Sequence, residues 1–168
     1  ALMETREREA CERSLAMAQA ALEQDPDCLI AAYTLALGHY QLLSFQWTMD
    51  PFASASALAE HAALCKRIAP DDPYSYIADG TACMLRADID GAIAELTRAI
   101  ERNPSAARAH SFLGQLRGMK GDPDGGIESL ERAMLLSPRD TQLWSMLAAV
   151  GVCHFAADRL EQCSHYLH

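Results

Sequence analysis

Apolar residues recur at helical spacing along the whole chain, interrupted by short polar steps that carry proline, glycine or aspartate. Between Ala107 and Lys120, Leu113, Leu116 and Met119 fall at helical spacing, and Ile127, Leu130, Ala133 and Met134 form a second stripe further on. The step between the two stripes is punctuation. Gly121 offers the left-handed conformation that a helix C-terminus often needs. Asp122 caps the next helix, and Pro123 takes its first position, where a missing N–H costs nothing. Pro138 denies the preceding residue an α conformation and stops that helix. Asp72-Pro73 opens a helix in the same way, and Asn103-Pro104 closes one. The pattern predicts an all-α chain with helices near 4–24, 29–43, 53–69, 73–86, 89–102, 107–120, 124–136, 141–157 and 159–168.

The stripes are written more than once. "LTRAIERNPSA" begins at Leu96 and "LERAMLLSPRD" at Leu130, an offset of 34 residues. Pro70, Pro104 and Pro138 stand at that interval. So do the pairs Gly80/Gly114, Asp88/Asp122, Asp90/Asp124, Gly91/Gly125, Ile93/Ile127, Leu96/Leu130, Arg98/Arg132 and Ala99/Ala133. A fixed period of this length, two helices per unit, means stacked repeats, because one helix pair cannot bury its own apolar face.

A 34-residue helix–turn–helix unit in this residue order resembles the tetratricopeptide repeat. That family places a large residue at position 4, Leu-Gly at 7 and 8, an aromatic at 11, small residues at 20 and 27, and proline at 32. From Ala107 the match is Leu113-Gly114, Gly126, Leu130, Ala133 and Pro138; from Pro73 it is Tyr76, Gly80, Ala92, Leu96, Ala99 and Pro104. From Thr141, Trp144, Leu147 and Ala148 open another unit. The resemblance implies a right-handed superhelix of antiparallel helix pairs. It is expected to form a single domain over 1–168: a half repeat at about 1–26, an elongated repeat at 29–70, repeats at 73–104 and 107–138, and a partial repeat at 141–168.

The chain departs from the family pattern in places. Asp79 stands where a buried leucine is expected, and Arg117 replaces the aromatic at position 11. Either the local helix is rotated or the two form a polar contact between adjacent repeats. The unit from Leu29 is stretched, with 44 residues between Pro26 and Pro70, ten more than the period. The excess lies at about 44–56, around "SFQWTMDPFASAS". An elongated repeat with "W…DP", two regular ones and then "RAMLLSPRD…W" looks like the repeat region downstream of bacterial class III adenylate/guanylate cyclase domains. It is also similar to the region that follows winged-helix domains in some bacterial regulators.

Composition narrows the functional classes. The net charge is −9, with only Lys66 and Lys120 as lysines, whereas a duplex-binding surface needs clustered positive charge. Nucleic acid is therefore not expected as a partner. The apolar run from Trp144 to Ala157 is too short to cross a bilayer, and the first residues lack a signal-peptide pattern. Six cysteines without a C-x-x-C pair suggest reduced, buried thiols and a cytoplasmic setting. The abrupt beginning and end suggest a segment of a longer protein.

No motif carries chemistry. "GDPDGGIESLE" fails as a calcium loop, since Gly126 takes a ligand position and Ile127 the glycine position. Cys163, His165 and His168, with His154 one helix earlier, form the densest donor set, but no acidic ligand stands beside them. We expect no catalytic, cofactor or metal site in this chain.

The resemblance implies a ligand groove lined by the first helix of each repeat. The corresponding residues are Ile30, Tyr33, Leu37, Tyr40 and Gln41 in the first unit, and Tyr74, Ile77, Thr81, Met84 and Leu85 in the second. Arg108, Ser111, Gln115, Gly118 and Met119 follow in the third, then Gln142, Ser145, Ala149, Val152 and Cys153. Family members that clamp C-terminal carboxylates use Lys, Arg and Asn there, and this groove offers only Arg108. An aromatic and aliphatic surface remains, suited to an amphipathic helix or an extended peptide. The expected function is a non-catalytic interaction scaffold. The alternative is a regulatory or oligomerisation region of a larger bacterial signalling protein, acting on another domain of its own polypeptide. At the C-terminus, Cys163 and Leu167 are expected to lack a covering helix, which would favour a homo-oligomer through that end. Trp47 and Phe52 are expected to anchor the elongated segment against the first repeat, as a lid on the groove or as a plug completing the core.

Overall fold

The computed structural model describes residues 2–167, with side chains from Thr5 to Tyr166. Its helices are α1 (Leu2–Gln24), α2 (Leu29–Ser44), α3 (Pro51–Ile68), α4 (Pro73–Leu85), α5 (Ile89–Arg102), α6 (Ala107–Met119), α7 (Pro123–Leu136), α8 (Leu143–Ala156) and α9 (Leu160–Leu167). Each lies within two residues of its expected bounds, and there is no strand among the described residues. The punctuation works as read from the sequence. The carboxylates of Asp50, Asp72 and Asp122 accept the backbone N–H of Ala53, Tyr74 and Gly125, and a proline occupies the first helical position each time.

The helices fall into two compact units, Ala1–Asp88 and Ile89–His168. In the first, α2 packs between α1 and α3, and α4 lies against both α2 and α3. Its core is built from small residues, Ala32, Ala36, Ala62, Ala78 and Ala82, closed by Leu58 and Cys65. Alanines bring the helix axes close, and the two larger side chains fill what remains. Burial pushes the Cys65 thiol up to about 12, opposed by a backbone hydrogen bond and aided by Asp72. The ordinary thiol of the unfolded chain, with a pKa of about 8.5, loses its proton first, so stability falls as pH rises through that lower value. Between about pH 8 and pH 10 the fall should be about 1 kcal/mol larger for the native chain than for Cys65→Ala, measured by urea denaturation.

In the second unit α5, α6, α7, α8 and α9 follow one another, each packed on the next. Leu130, Ala133, Met146, Val150 and Cys153 form its core, with Ile127, Met134, Ala149 and Tyr166 at the margin. The helices approach closely at glycines. A Cβ on Gly114 would lie 2.7 Å from the carbonyl oxygen of Gly126, and one on Gly118 would lie 2.6 Å from Cys153 Sγ.

The turns after α2, α4, α6 and α8 share one construction. The N–H groups of Trp47, Asp88, Asp122 and Arg159 reach back to the carbonyls of Leu42, Cys83, Arg117 and His154. Those of Gln46, Ala87, Gly121 and Asp158 bond to Leu43, Met84, Gly118 and Phe155. This is the paired hydrogen bond of a Schellman motif, and the residue at its hinge is left-handed every time, with φ of 55°, 58°, 86° and 58°. Only Gly121 suits that conformation. Ala87→Gly should therefore raise stability by about 0.5–1 kcal/mol in chemical denaturation, whereas the same change within a helix would lower it.

Three expectations need correction. Asp79 and Arg117 each find a partner within their own unit. Asp79 Oδ2 lies 3.6 Å from Lys66 Nζ, and Arg117 Nη1 donates to Ser129 Oγ at 3.2 Å. The elongated repeat has the two long helices expected of it, since α2 and α3 run to 16 and 18 residues and leave only residues 45–50 between them. Within it Trp47 is partly buried, but Phe52 is 89% exposed and anchors nothing. It sits in the first turn of α3, where the Asp50 cap holds the backbone and its side chain faces outward. Cys163 is buried rather than uncovered; the side chain of Leu167 lies outside the described residues.

Candidate peptide-binding faces

The expected groove residues lie on α2 and α4 in the first unit and on α6 and α8 or just before it in the second, some exposed and some buried. In the first unit the face is made by α2 and α4, joined by Tyr33 and Tyr74 with ring centroids 4.6 Å apart. Ile30, one turn before Tyr33, is 54% exposed, and Tyr74 and Leu85 are also exposed. Leu37, Tyr40, Gln41 and Met84 are partly buried. Tyr33 and Tyr40 lean on the small-residue core, which fixes their rings without covering them. Ile77 and Thr81 were expected on this surface and are instead buried, with Thr81 Oγ1 donating to the Ala78 carbonyl. The face is aromatic and aliphatic.

In the second unit the face is made by α6 and α8 and has a different character. Arg108 Nη1 donates to Gln142 Oε1 at 2.6 Å, its Nη2 lies 3.7 Å from Asp140 Oδ2, and its guanidinium stands 5.9 Å from the Phe112 ring centroid. Arg108, the cation of this residue set, is thus held by Gln142 and Asp140. Gln115, Ser145 and Ala149 are partly buried, with Gln115 bonded to Ser111 and Ser145 to the Gln142 carbonyl. Met119 at 74% and Val152 at 59% are the exposed apolar residues of this set. Ser111 and Cys153 are buried, and Gly118 packs against the Cys153 sulfur.

Five of the six cysteines are buried, and Cys28 is partly exposed. All six cysteines are free, and desolvation raises the pKa of Cys11 and Cys153 as it does that of Cys65. Among the described residues no group of three His, Cys, Asp or Glu side chains is placed to hold a metal. His168, part of the donor set read from sequence, lies outside them. No helix in the described residues is long and apolar enough to cross a membrane.

Two features had no signal in the residue pattern. One is the stacking of His39 on His61, with centroids 6.1 Å apart and planes 9° from parallel. Burial, then the neighbouring ring, lowers the pKa of His39. The other is a cleft beside α9, lined by Glu131, His154, Glu161, His165 and Tyr166 among others. Residues on three helices converge there, and only the packing brings them together.

No family model matches the chain, and no curated protein matches it. Solved structures do. The thermophilic TPR protein TTC0263 of Thermus thermophilus superposes with a TM-score of 0.73 at 17% identity, over 97% of this chain and 82% of that one. Human IFIT1, solved as a dimer with m7Gppp-AAAA, gives 0.69 at 19% identity over 93% of this chain and 35% of that one. YrrB, described as a TPR protein with an unusual peptide-binding site, gives 0.57 at 18% identity over 95% and 75%. The chain therefore has the all-α fold of tetratricopeptide-repeat proteins.

Proposed function

We propose that this chain is a non-catalytic protein-interaction scaffold whose primary peptide-binding surface is the α2/α4 face. The observation that carries the reading is the Tyr33–Tyr74 pair, held by the core below it and flanked by exposed Ile30. Rigid aromatic rings present large apolar area at small entropic cost on binding. The ligand class that suits them is an amphipathic helix or an extended apolar peptide, and the peptide-binding site of YrrB gives a precedent on this fold. A carboxylate clamp is disfavoured by the engagement of Arg108 with Asp140. Nucleic acid is disfavoured by a net charge of −9. The 34-residue period runs unbroken through residues 88 and 89, so we read 1–168 as one repeat region.

Selection from a displayed peptide library should yield apolar-anchored binders. Ile30→Glu with Tyr74→Glu should weaken them by about ten-fold or more, while Val152→Glu on the other unit leaves them within about two-fold. Binders indifferent to the α2/α4 pair would refute the assignment of the face. A second reading, regulation of another domain of the same polypeptide, is favoured by the elongated first repeat and its likeness to cyclase-associated and winged-helix-associated regions. An upstream coding sequence for either domain supports it.

A further inference from the structure

Four carboxylates of the second unit are matched by a basic neighbour among the described residues. Asp90 pairs with Lys120, Glu95 with Arg98, Asp124 with Arg159 and Asp140 with Arg108. Glu131 of α7 and Glu161 of α9 make no such pair among the described residues, and both line a cleft of about 510 Å³ bounded by α7, α8 and α9. The rest of the wall is made by Ile127, Gln162 and three rings, those of His154, His165 and Tyr166. The His154 ring stacks on Tyr166 at 5.5 Å with planes 20° apart, and His165 meets Tyr166 edge-on at 5.4 Å. His154 Nδ1 is buried without a partner among the described residues, so in the Nε2-protonated tautomer it is an acceptor left unused by them. Two carboxylates without a basic partner, a π-surface and a spare acceptor make the lining electron-rich, and among the described residues no cation stands in it.

We propose that this cleft binds an arginine side chain of a partner protein. A guanidinium is planar, so one face can lie on the Tyr166–His154 wall while its fork of N–H groups reaches a carboxylate. An ammonium gains the charge attraction without the stacking or the fork. A metal ion is a poorer occupant, because no three ligating groups converge in the described residues. The open mouth keeps desolvation of the two carboxylates small, which avoids the penalty that burying an ion pair incurs. The site lies in the second unit, whereas the α2/α4 face belongs to the first.

The test uses the whole chain and three blocked peptides, acetyl-Gly-Arg-Gly-amide and its lysine and citrulline counterparts, titrated at low salt and followed by NMR. The arginine peptide should shift the ring resonances of His154 and Tyr166 and bind about ten-fold or more tightly than the citrulline peptide, its neutral isostere. The lysine peptide should fall between them. Glu131→Gln with Glu161→Gln should reduce arginine binding by about ten-fold, whereas Glu7→Gln with Glu9→Gln, an equal charge loss on α1, should leave it within about two-fold. Three of the four positions are exposed and Glu7 is half-buried, so unchanged circular dichroism is expected and checked first. Equal binding of arginine and citrulline, lysine binding as tight as arginine, or equal losses from the two double variants would overturn the proposal.

Discussion

Gly114→Ala should destabilise the chain by about 1–3 kcal/mol in urea denaturation, and Gly114→Val by about 3 kcal/mol or more. Helix propensity alone argues the other way, since alanine is better than glycine in a helix interior by about 1 kcal/mol. Space decides the sign. A Cβ at Gly114 would meet the Gly126 carbonyl oxygen and Leu130 Cγ at 2.7 Å, and the Leu130 backbone nitrogen at 3.0 Å. Two of these three atoms are backbone, so they retreat only if α6 and α7 separate. Separation would then loosen Leu130 and Ala133, which are wholly buried beside that contact.

Gly118 supplies the internal control. Its added Cβ would meet only the Cys153 sulfur, a side-chain atom, at 2.6 Å. Gly118→Ala should therefore be relieved by Cys153→Ala, with a coupling of about 1 kcal/mol in a double-mutant cycle. No second substitution at a side chain should relieve Gly114→Ala. If Gly114→Ala proves neutral or stabilising, the close helix approach is not what holds α6 to α7.

The sequence made the helices legible because proline, glycine and aspartate stand where the backbone demands them, and the backbone demand repeats every 34 residues. It made the glycine contact legible as well, since Gly114 and Gly126 fall at the small-residue positions of the repeat. The turns were only partly legible. Gly121 announces its left-handed hinge, but Gln46, Ala87 and Asp158 adopt the same conformation without the residue that signals it. There the paired backbone hydrogen bonds override local preference.

For the proposed faces, spacing names the helices but does not say which side chains stay exposed. Position 9 of a first helix predicts surface for Thr81, yet the neighbouring helices bury it. Arg108 was visible as a cation, but its capture by Asp140 depends on a residue 32 positions on and on the turn that presents it. The cleft at α9 depends on three helices converging, and no periodic pattern encodes that. Charge matching followed the same rule: Asp79 and Arg117 fall where apolar residues are usual, and each is satisfied by a neighbour, Lys66 and Ser129, that spacing alone did not single out.

Trp47→Ala should lower stability by about 2–4 kcal/mol, whereas Trp47→Phe should stay within about 1 kcal/mol of the native chain. The indole is partly buried and lies against Phe45 with centroids 4.8 Å apart, so truncation removes apolar packing that a solvated loop would lack. Its Nε1 is buried and meets no acceptor among the described residues. That orphaned donor offsets part of what the ring contributes, and phenylalanine removes the donor while keeping most of the ring. The backbone here is independently held. The Trp47 N–H closes the α2 turn onto the Leu42 carbonyl, and Thr48 Oγ1 lies 2.8 Å from Ser54 Oγ in the first turn of α3. Loss of the side chain should therefore leave the turn in place and cost packing alone. Phe52→Ala provides the contrast: a ring 89% exposed should cost under about 0.5 kcal/mol, although it sits five residues away in the same elongated segment. The two together separate a plug from a lid. If Trp47→Ala destabilises while peptide binding at the α2/α4 face is unchanged, Trp47 completes the core. If stability is unchanged and binding alters, it closes over the ligand.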